Sequence, residues 1–238
     1  MAVKLSVNIN KVALIRNSRG GNLPNLKQVA LDCEEYGANG ITVHPRPDER
    51  HVRYADLQVL MDANRTEFNI EGYPSERFLH QVLAVKPHQC TLVPDPPGVL
   101  TSSEGWDVLR HQDLLRKVIA ELKANDIRVS LFMEPDANQM THAKEVGANR
   151  VELYTGGYAE GYLDDRELAV AAHVGAAREA NILGLGLNAG HDLNLDNLAY
   201  YCKSVPGLLE VSIGHALISD SLYYGLQNTI MMYLKRCQ

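Results

Sequence analysis

Three short runs of this chain end in residues that do acid–base chemistry: Glu67-Phe-Asn-Ile-Glu-Gly72, Thr42-Val-His-Pro-Arg46 and Asn188-Ala-Gly-His191. A buried strand favours β-branched and apolar side chains, and has no structural use for a carboxylate, two imidazoles and a guanidinium at one end. Histidine changes charge near physiological pH, so it can take or give a proton there. Glu71 has Phe68 and Ile70 as apolar neighbours. A carboxyl so placed is expected to hold its proton to a higher pH than usual and to shuttle protons near neutrality. The plainer reading of Glu71 is a salt bridge across a barrel mouth, and that of a lone histidine is a hydrogen-bonded loop residue. His44 and His191 both follow strand-like runs, which favours chemistry for the two together. His80, His111, His142 and His173 sit on helix-like segments and read as structural. Glu152 lies inside a strand-like run, where it can orient a substrate or pair with a nearby Arg or Lys.

A second set of residues suits anions. Asn188-Ala-Gly-His-Asp192 and Ser212-Ile-Gly-His-Ala216 each place glycine just before a helix, where backbone N–H groups can face a phosphate. Asn8, Arg16 and Arg19 lie at or beyond the first strand-like run, and Arg46 and His51 beyond the second. Two separate basic groups suggest two anionic groups on the substrates. No two ligand candidates show a compact metal-binding spacing, so no metal is expected.

These residues need a frame that gathers strand ends. Strand-like runs cover residues 4–9, 40–43, 67–71, 89–93, 128–132, 150–154, 183–188 and 210–213. Helical patterns cover 25–36, 54–63, 75–85, 108–125, 138–146, 165–180, 195–204 and 219–235. In 108–125, Leu114, Leu115, Val118, Ile119 and Leu122 recur at helical spacing. Tyr36-Gly-Ala-Asn39 and Val146-Gly-Ala-Asn149 repeat one joint, in which glycine supplies a left-handed cap before the next strand. The expected loops after strands are long, at 10–24, 44–53, 94–107 and 155–164, which suggests a built site on that face. Pro94-Asp-Pro-Pro-Gly98 followed by Thr101-Ser-Ser-Glu-Gly105 suggests a hinged lid, or else an ordinary surface loop. Eight alternations fit an α/β fold of one domain over 1–238: a TIM (β/α)8 barrel with extra short helices and its site at the C-terminal ends of the strands.

Bulk properties narrow the partners. The 238 residues carry a formal charge of −6, against the basic balance usual for a nucleic-acid binder. No apolar run approaches the roughly 20 residues of a membrane span. Met1-Ala-Val-Lys-Leu-Ser-Val is too short and polar to read as a signal peptide. Cys33, Cys90, Cys202 and Cys237 form no CxxC pair and read as reduced thiols of a cytoplasmic protein.

Nine segments in order carry a resemblance: Val7-Asn-Ile-Asn10, Arg16-Asn-Ser-Arg-Gly20, Gly40-Ile-Thr-Val-His-Pro-Arg46, Arg50-His51, Asn69-Ile-Glu71, Lys86-Pro-His88, Leu92-Val-Pro94, Leu187-Asn-Ala-Gly-His191 and Ile213-Gly-His-Ala216. Together they resemble the pyridoxine 5'-phosphate synthase family over nearly the whole chain. The resemblance implies a TIM barrel that assembles into a homo-octamer and uses neither cofactor nor metal. It implies condensation of 1-deoxy-D-xylulose 5-phosphate with 3-amino-2-oxopropyl phosphate to pyridoxine 5'-phosphate, phosphate and water. It also implies His44 and Glu71 as proton acceptors and His191 as proton donor. Asn8, Arg19, Gly214 and His215 would contact the aminoketone phosphate, and Arg46, His51 and Thr101 the sugar phosphate.

The chain departs from the family pattern at two places. Asn10-Lys11 stands where many members have Asp-His, a pair that contacts the sugar phosphate. Asp192 stands where many have glycine; its backbone contact is expected to survive, with the carboxylate turned away to cap the next helix. Two other readings compete. A Schiff-base aldolase needs a lysine at a strand end, and Lys11 lies past the first strand. A non-catalytic phosphate binder has no use for His44, Glu71 and His191 together.

Overall fold

Polar and apolar side chains alternate along the strands, and this alternation decides how the chain closes. The computed structural model describes residues 2–95 and 104–238. Its strands are β1 (Lys4–Asn8), β2 (Gly40–Val43), β3 (Glu67–Gly72), β4 (Gln89–Leu92), β5 (Arg128–Met133), β6 (Arg150–Tyr154), β7 (Gly186–Gly190) and β8 (Leu208–Ile213). They pair in parallel in sequence order, and β8 closes onto β1 through Lys4–Glu210 to Val7–Ile213. The helices are α1 (Asn10–Asn17), α2 (Leu26–Glu35), α3 (Tyr54–Ala63), α4 (Glu76–Val85), α5 (Gln112–Lys123), α6 (Ala137–Glu145), α7 (Gly156–Ile182), α8 (Leu198–Ser204), α9 (His215–Tyr224) and α10 (Leu226–Arg236). The fold is the expected TIM barrel. Among the described residues no helix is long and apolar enough to cross a membrane.

One strand face supplies the apolar core between barrel and helices: Leu5 and Val7, Ile41 and Val43, Phe68 and Ile70, Val129 and Leu131, all buried. On the helix side α5 buries Leu115, Val118, Ile119 and Leu122, one stripe at 3.6-residue spacing, while Leu114 is turned out to solvent. Each such leucine contributes about 1.5–3 kcal/mol by leaving water. The helix-to-strand joints fall where glycine permits them, with Gly37 at φ +104° and Gly147 at φ +92°.

The other strand face is polar well below the strand ends, with Phe132 of β5 an apolar exception. Ser6 Oγ and Thr42 Oγ1 lie 2.7 Å apart, Asn69 donates to Thr42 Oγ1 at 3.4 Å, and Thr91 donates to Asn69 Oδ1 at 3.0 Å. Gln89 joins Thr91 at 3.4 Å, and Arg128 Nε donates to Gln89 at 2.9 Å. On the far wall Arg150 donates to Asn188, which donates to Glu210, each at 3.3 Å. Arg128 also pairs with Glu67. A hydrogen-bonded column therefore fills the barrel axis, where branched aliphatic side chains are usual.

Several boundaries differ from expectation, each for a local reason. Residues 10–17 are helical, not loop: α1 buries Val12, Ala13 and Arg16 although no side chain caps it. Residues 156–164 are the first half of α7, which breaks at Asp165 (φ −153°, ψ 93°); three glycines in that half hide its helical pattern. The run expected at 219–235 is two helices split at Gly225, with φ +76°. β7 starts at Gly186 because α7 continues through Ile182 and turns at Gly184. The proposed lid at 94–105 falls largely on residues 96–103, outside the described residues.

Arg16, read from sequence as a candidate anion contact, is a structural lock. Its guanidinium grips Asp56 of α3 with two bonds, Nη1 to Oδ1 at 2.7 Å and Nη2 to Oδ2 at 2.8 Å. Its side chain is 5 % exposed. Removing one partner of such a pair strands a buried charge, at a cost of about 3 kcal/mol or more. Asp56→Ala is therefore expected to lower the unfolding free energy by about 3 kcal/mol in urea titration, with an unchanged slope.

Candidate active site

The C-terminal strand ends surround a cavity of about 520 Å³. Asn8 ends β1, Glu71 lies near the end of β3, and His44 follows β2. His191 and Asp192 follow β7, and Gly214 and His215 follow β8. Asn10 and Lys11, on the first turn of α1, and Arg46 and His51, from the segment after β2, complete the sequence-predicted part of the lining. One predicted residue among those described is not brought in. Arg19 lies beyond the C-terminus of α1, exposed and outside the lining, because eight residues expected to be loop are helix. Thr101 lies outside the described residues.

At the centre, His44 Nδ1 is 4.0 Å from Glu71 Oε2. Asn8 Nδ2 donates to the same Glu71 oxygen at 3.5 Å. Asn10 Oδ1 accepts the His44 backbone N–H at 2.9 Å, while Asn8 Oδ1 accepts the Asn10 N–H at 3.0 Å. The Asn10 side chain thus braces the backbone that presents His44. Arg46 donates to Asp95 at 3.1 Å with both side chains buried, so its guanidinium is anchored at one edge.

Burial sets the protonation of this group. His44 is held well below its ordinary value, first by loss of solvent and then by Arg46, His51 and Arg50. His51 is lowered to about 4, by burial and then by Arg50, Arg46 and Lys11. Glu71 is raised well above the usual carboxylate range, by burial and then by the charge of Glu152. Burial thus favours the neutral form of His44 and His51 and the protonated form of Glu71.

Sequence reasoning left Glu152 open, named Arg50 and Ser212 within motifs without giving either a contact, and overlooked Phe132; all four line the cavity. Glu152 is buried on β6 and is pushed up to about 8 by desolvation and then by Glu210. Its space exists because residue 190 is glycine: a Cβ there would stand 2.6 Å from Glu152 Oε1 and 2.9 Å from the Ser212 carbonyl. The signal for Glu152 was its even spacing with Arg150 and Tyr154, which puts all three on one strand face. The Asp192 carboxylate does not cap a helix. It lies 2.9 Å from His191 Nδ1, and α8 begins later, after Asn197. Among the described residues no group of three His, Cys, Asp or Glu side chains is placed to hold a metal ion.

Fold and site together define a TIM-barrel enzyme with an acid–base centre at the C-terminal face. The comparisons with known proteins agree. Residues 5–238 match the family described as pyridoxal phosphate biosynthesis protein PdxJ. The pyridoxine 5'-phosphate synthase of Bacteroides fragilis is 59% identical over 234 residues, 98% of each chain. That of Porphyromonas gingivalis is 54% identical over 230 residues, 97% of each chain. Phosphoribosyl anthranilate isomerase from Thermotoga maritima superposes with a TM-score of 0.60 at 13% identity, covering 99% of this chain and 98% of its own. Thiamine phosphate pyrophosphorylase from Pyrococcus furiosus gives 0.64 at 13% identity, covering 99% and 95%. These two likenesses show the fold alone. The chain belongs to the PdxJ family and is an enzyme of pyridoxal phosphate biosynthesis.

The buried carboxyl gives a stability test. Unfolded, Glu152 ionises near its ordinary value of 4.5; folded, near 8. Between those values the folded chain keeps a proton that the unfolded chain has lost, so raising the pH through this window favours unfolding. Glu210, raised to about 7, acts with the same sign. His44, His51 and His173, held below their ordinary value of 6.5, act with the opposite sign below that pH, so urea midpoints are expected to fall between about pH 6.5 and about pH 8, and Glu152→Gln should flatten that fall without abolishing it.

Proposed function

We propose that this cavity carries out the pyridoxine 5'-phosphate synthase reaction, joining 1-deoxy-D-xylulose 5-phosphate to 3-amino-2-oxopropyl phosphate with release of phosphate and water. The observation that carries this reading is the His44–Glu71 pair, 4.0 Å apart in a wall that also holds Lys11, Arg46 and Arg50. Proton donors and acceptors thus meet where two anionic substrates would be held.

The reaction begins when the substrate amine attacks the sugar ketone. Neutral His44 takes a proton from the attacking nitrogen and passes it to the former ketone oxygen; protonated Glu71 gives that oxygen its second proton, and it leaves as water to give the iminium. Glu71 is then a carboxylate, and serves as the acceptor in the next step. Elimination of one phosphate leaves a conjugated intermediate. Carbon–carbon ring closure follows, and aromatisation draws the sequence to its end. His191 is the proton donor for the later loss of water. Arg46 and His51 hold the sugar phosphate, with Asn10 and Lys11 beside them. Asn8, Gly214 and His215 hold the other phosphate, at the uncapped start of α9. No cofactor is assigned to the site.

The exposed apolar side chains Leu14 and Ile15 on α1 and Leu222 and Tyr223 on the adjoining α9 support association of copies, with a homo-octamer implied by the family resemblance. The four cysteines are free, which supports work in the cytoplasm.

Purified protein with both substrates, and no added metal or cofactor, is expected to release phosphate and form pyridoxine 5'-phosphate in equal amounts. Glu71→Gln should lower kcat by about 10²–10⁴-fold with little change in substrate binding. Near-normal turnover in that variant would refute its proton-transfer role. Borohydride trapping of a substrate on Lys11 would replace this reading with a Schiff-base mechanism.

A further inference from the structure

His191 and Asp192 are consecutive, and in a regular strand consecutive side chains point to opposite faces. Here they meet, with His191 Nδ1 2.9 Å from Asp192 Oδ2. The local backbone is unusual. His191 follows the last residue of β7 with φ +101°, a left-handed conformation that costs a non-glycine residue about 1–3 kcal/mol. One buried hydroxyl holds both flanks of this turn: Thr155 Oγ1 donates to the Gly190 carbonyl at 2.8 Å and accepts the Asp192 N–H at 3.2 Å. The His191 N–H reaches the Ser212 carbonyl at 3.4 Å, and Asn197 Nδ2 donates to the Asp192 carbonyl at 3.3 Å. The imidazole also meets Tyr154 edge to face, with centroids 5.4 Å apart, and Phe132 at 6.4 Å. The surroundings thus enforce a strained turn, and that turn brings a carboxylate to a histidine in the wall of the reaction cavity.

We propose that Asp192 is a positioning residue: its carboxylate accepts the Nδ1–H of His191, fixes the ring in that tautomer and makes Nε2 the nitrogen that exchanges protons with the substrate. The proposal rests on the reading of His191 as proton donor and adds a second member to that unit. In the donor step, imidazolium gives its Nε2 proton to the departing hydroxyl, which leaves as water. The ring becomes neutral with Nδ1–H still bonded to Asp192. Throughout the step the carboxylate stays ionised and keeps the ring aimed. Without it, an imidazole in water favours the opposite tautomer, with the proton on Nε2.

Nitrogen-15 NMR of the histidines in ligand-free protein tests this directly, with the His191 signals assigned by their loss in His191→Gln. In alkaline buffer, neutral His191 is expected as the Nδ1–H tautomer in the parent chain, to shift toward Nε2–H in Asp192→Ala, and to return in Asp192→Glu. The Asp192 side chain is 43 % exposed, so its truncation leaves the fold intact. In the synthase assay, Asp192→Ala should lower kcat about tenfold to a hundredfold, with KM changed by less than about threefold. Asp192→Glu should recover most of that loss. An unchanged tautomer in Asp192→Ala, or a loss confined to KM, would overturn the proposal. The NMR measurement needs no turnover. If the parent chain forms no product, the synthase reading falls and the tautomer still decides whether the pair exists.

Discussion

Closing eight strands into a ring removes every strand edge and leaves the inner face with almost no access to solvent, so polar side chains on that face must satisfy one another. This barrel meets most of that constraint, with Ser130 Oγ and Glu210 Oε2 left unpaired. The Ser6–Thr42–Asn69–Thr91 chain on one wall and the Arg150–Asn188–Glu210 chain on the other meet it with hydrogen bonds. Three glutamates on this face are cut off from solvent, and the balance is met by keeping protons. Glu71, Glu152 and Glu210 all hold protons to unusually high pH, with burial the first cause in each case. The chemistry of the site is in this sense a by-product of barrel closure: the cavity supplies acids because it cannot stabilise that many anions.

The same low-solvent environment acts oppositely on the imidazoles. His44 and His51 are kept neutral by burial and by the neighbouring Arg46 and Arg50. One set of surroundings therefore pushes acid and base in opposite directions, which gives a ready donor and a ready acceptor in adjacent side chains. The same two arginines line the cavity, so its charge and the protonation of His44 rest on shared residues.

Much of this was legible in the sequence because strand ends are conspicuous. His44, Glu71 and His191 interrupt apolar runs, and any parallel barrel carries such interruptions to one face. The Tyr36-Gly-Ala and Val146-Gly-Ala joints located the helix-to-strand turns because only glycine tolerates those angles cheaply. The failures have equally physical causes. α1 has neither a capping side chain nor an acidic first turn, so its helix was invisible, and Arg19 lies past that helix and outside the cavity lining. Arg16 looked like an anion contact because its partner, Asp56, is 40 residues distant in sequence. The coupling of Glu152 to Glu210 depends on β6, β7 and β8 lying side by side, with Glu152 level with Asn188 and Asn188 level with Glu210. No local pattern contains that alignment.

The Arg16–Asp56 lock has a partner interaction with a thermodynamic meaning. Asn17, one residue on, donates to the Glu49, Arg50 and His51 carbonyls at 3.3, 3.0 and 2.6 Å, and Arg16 Nη2 adds a contact to the His51 carbonyl at 3.4 Å. The segment that carries Arg50 and His51 has no helix or strand of its own, yet its backbone is tied to α1 at three successive residues. Its ordering entropy is met when the chain folds and does not recur at each encounter with substrate. Arg50 and His51 therefore face the cavity from backbone that is already ordered, so the attraction Arg50 exerts on a negative charge acts without that cost.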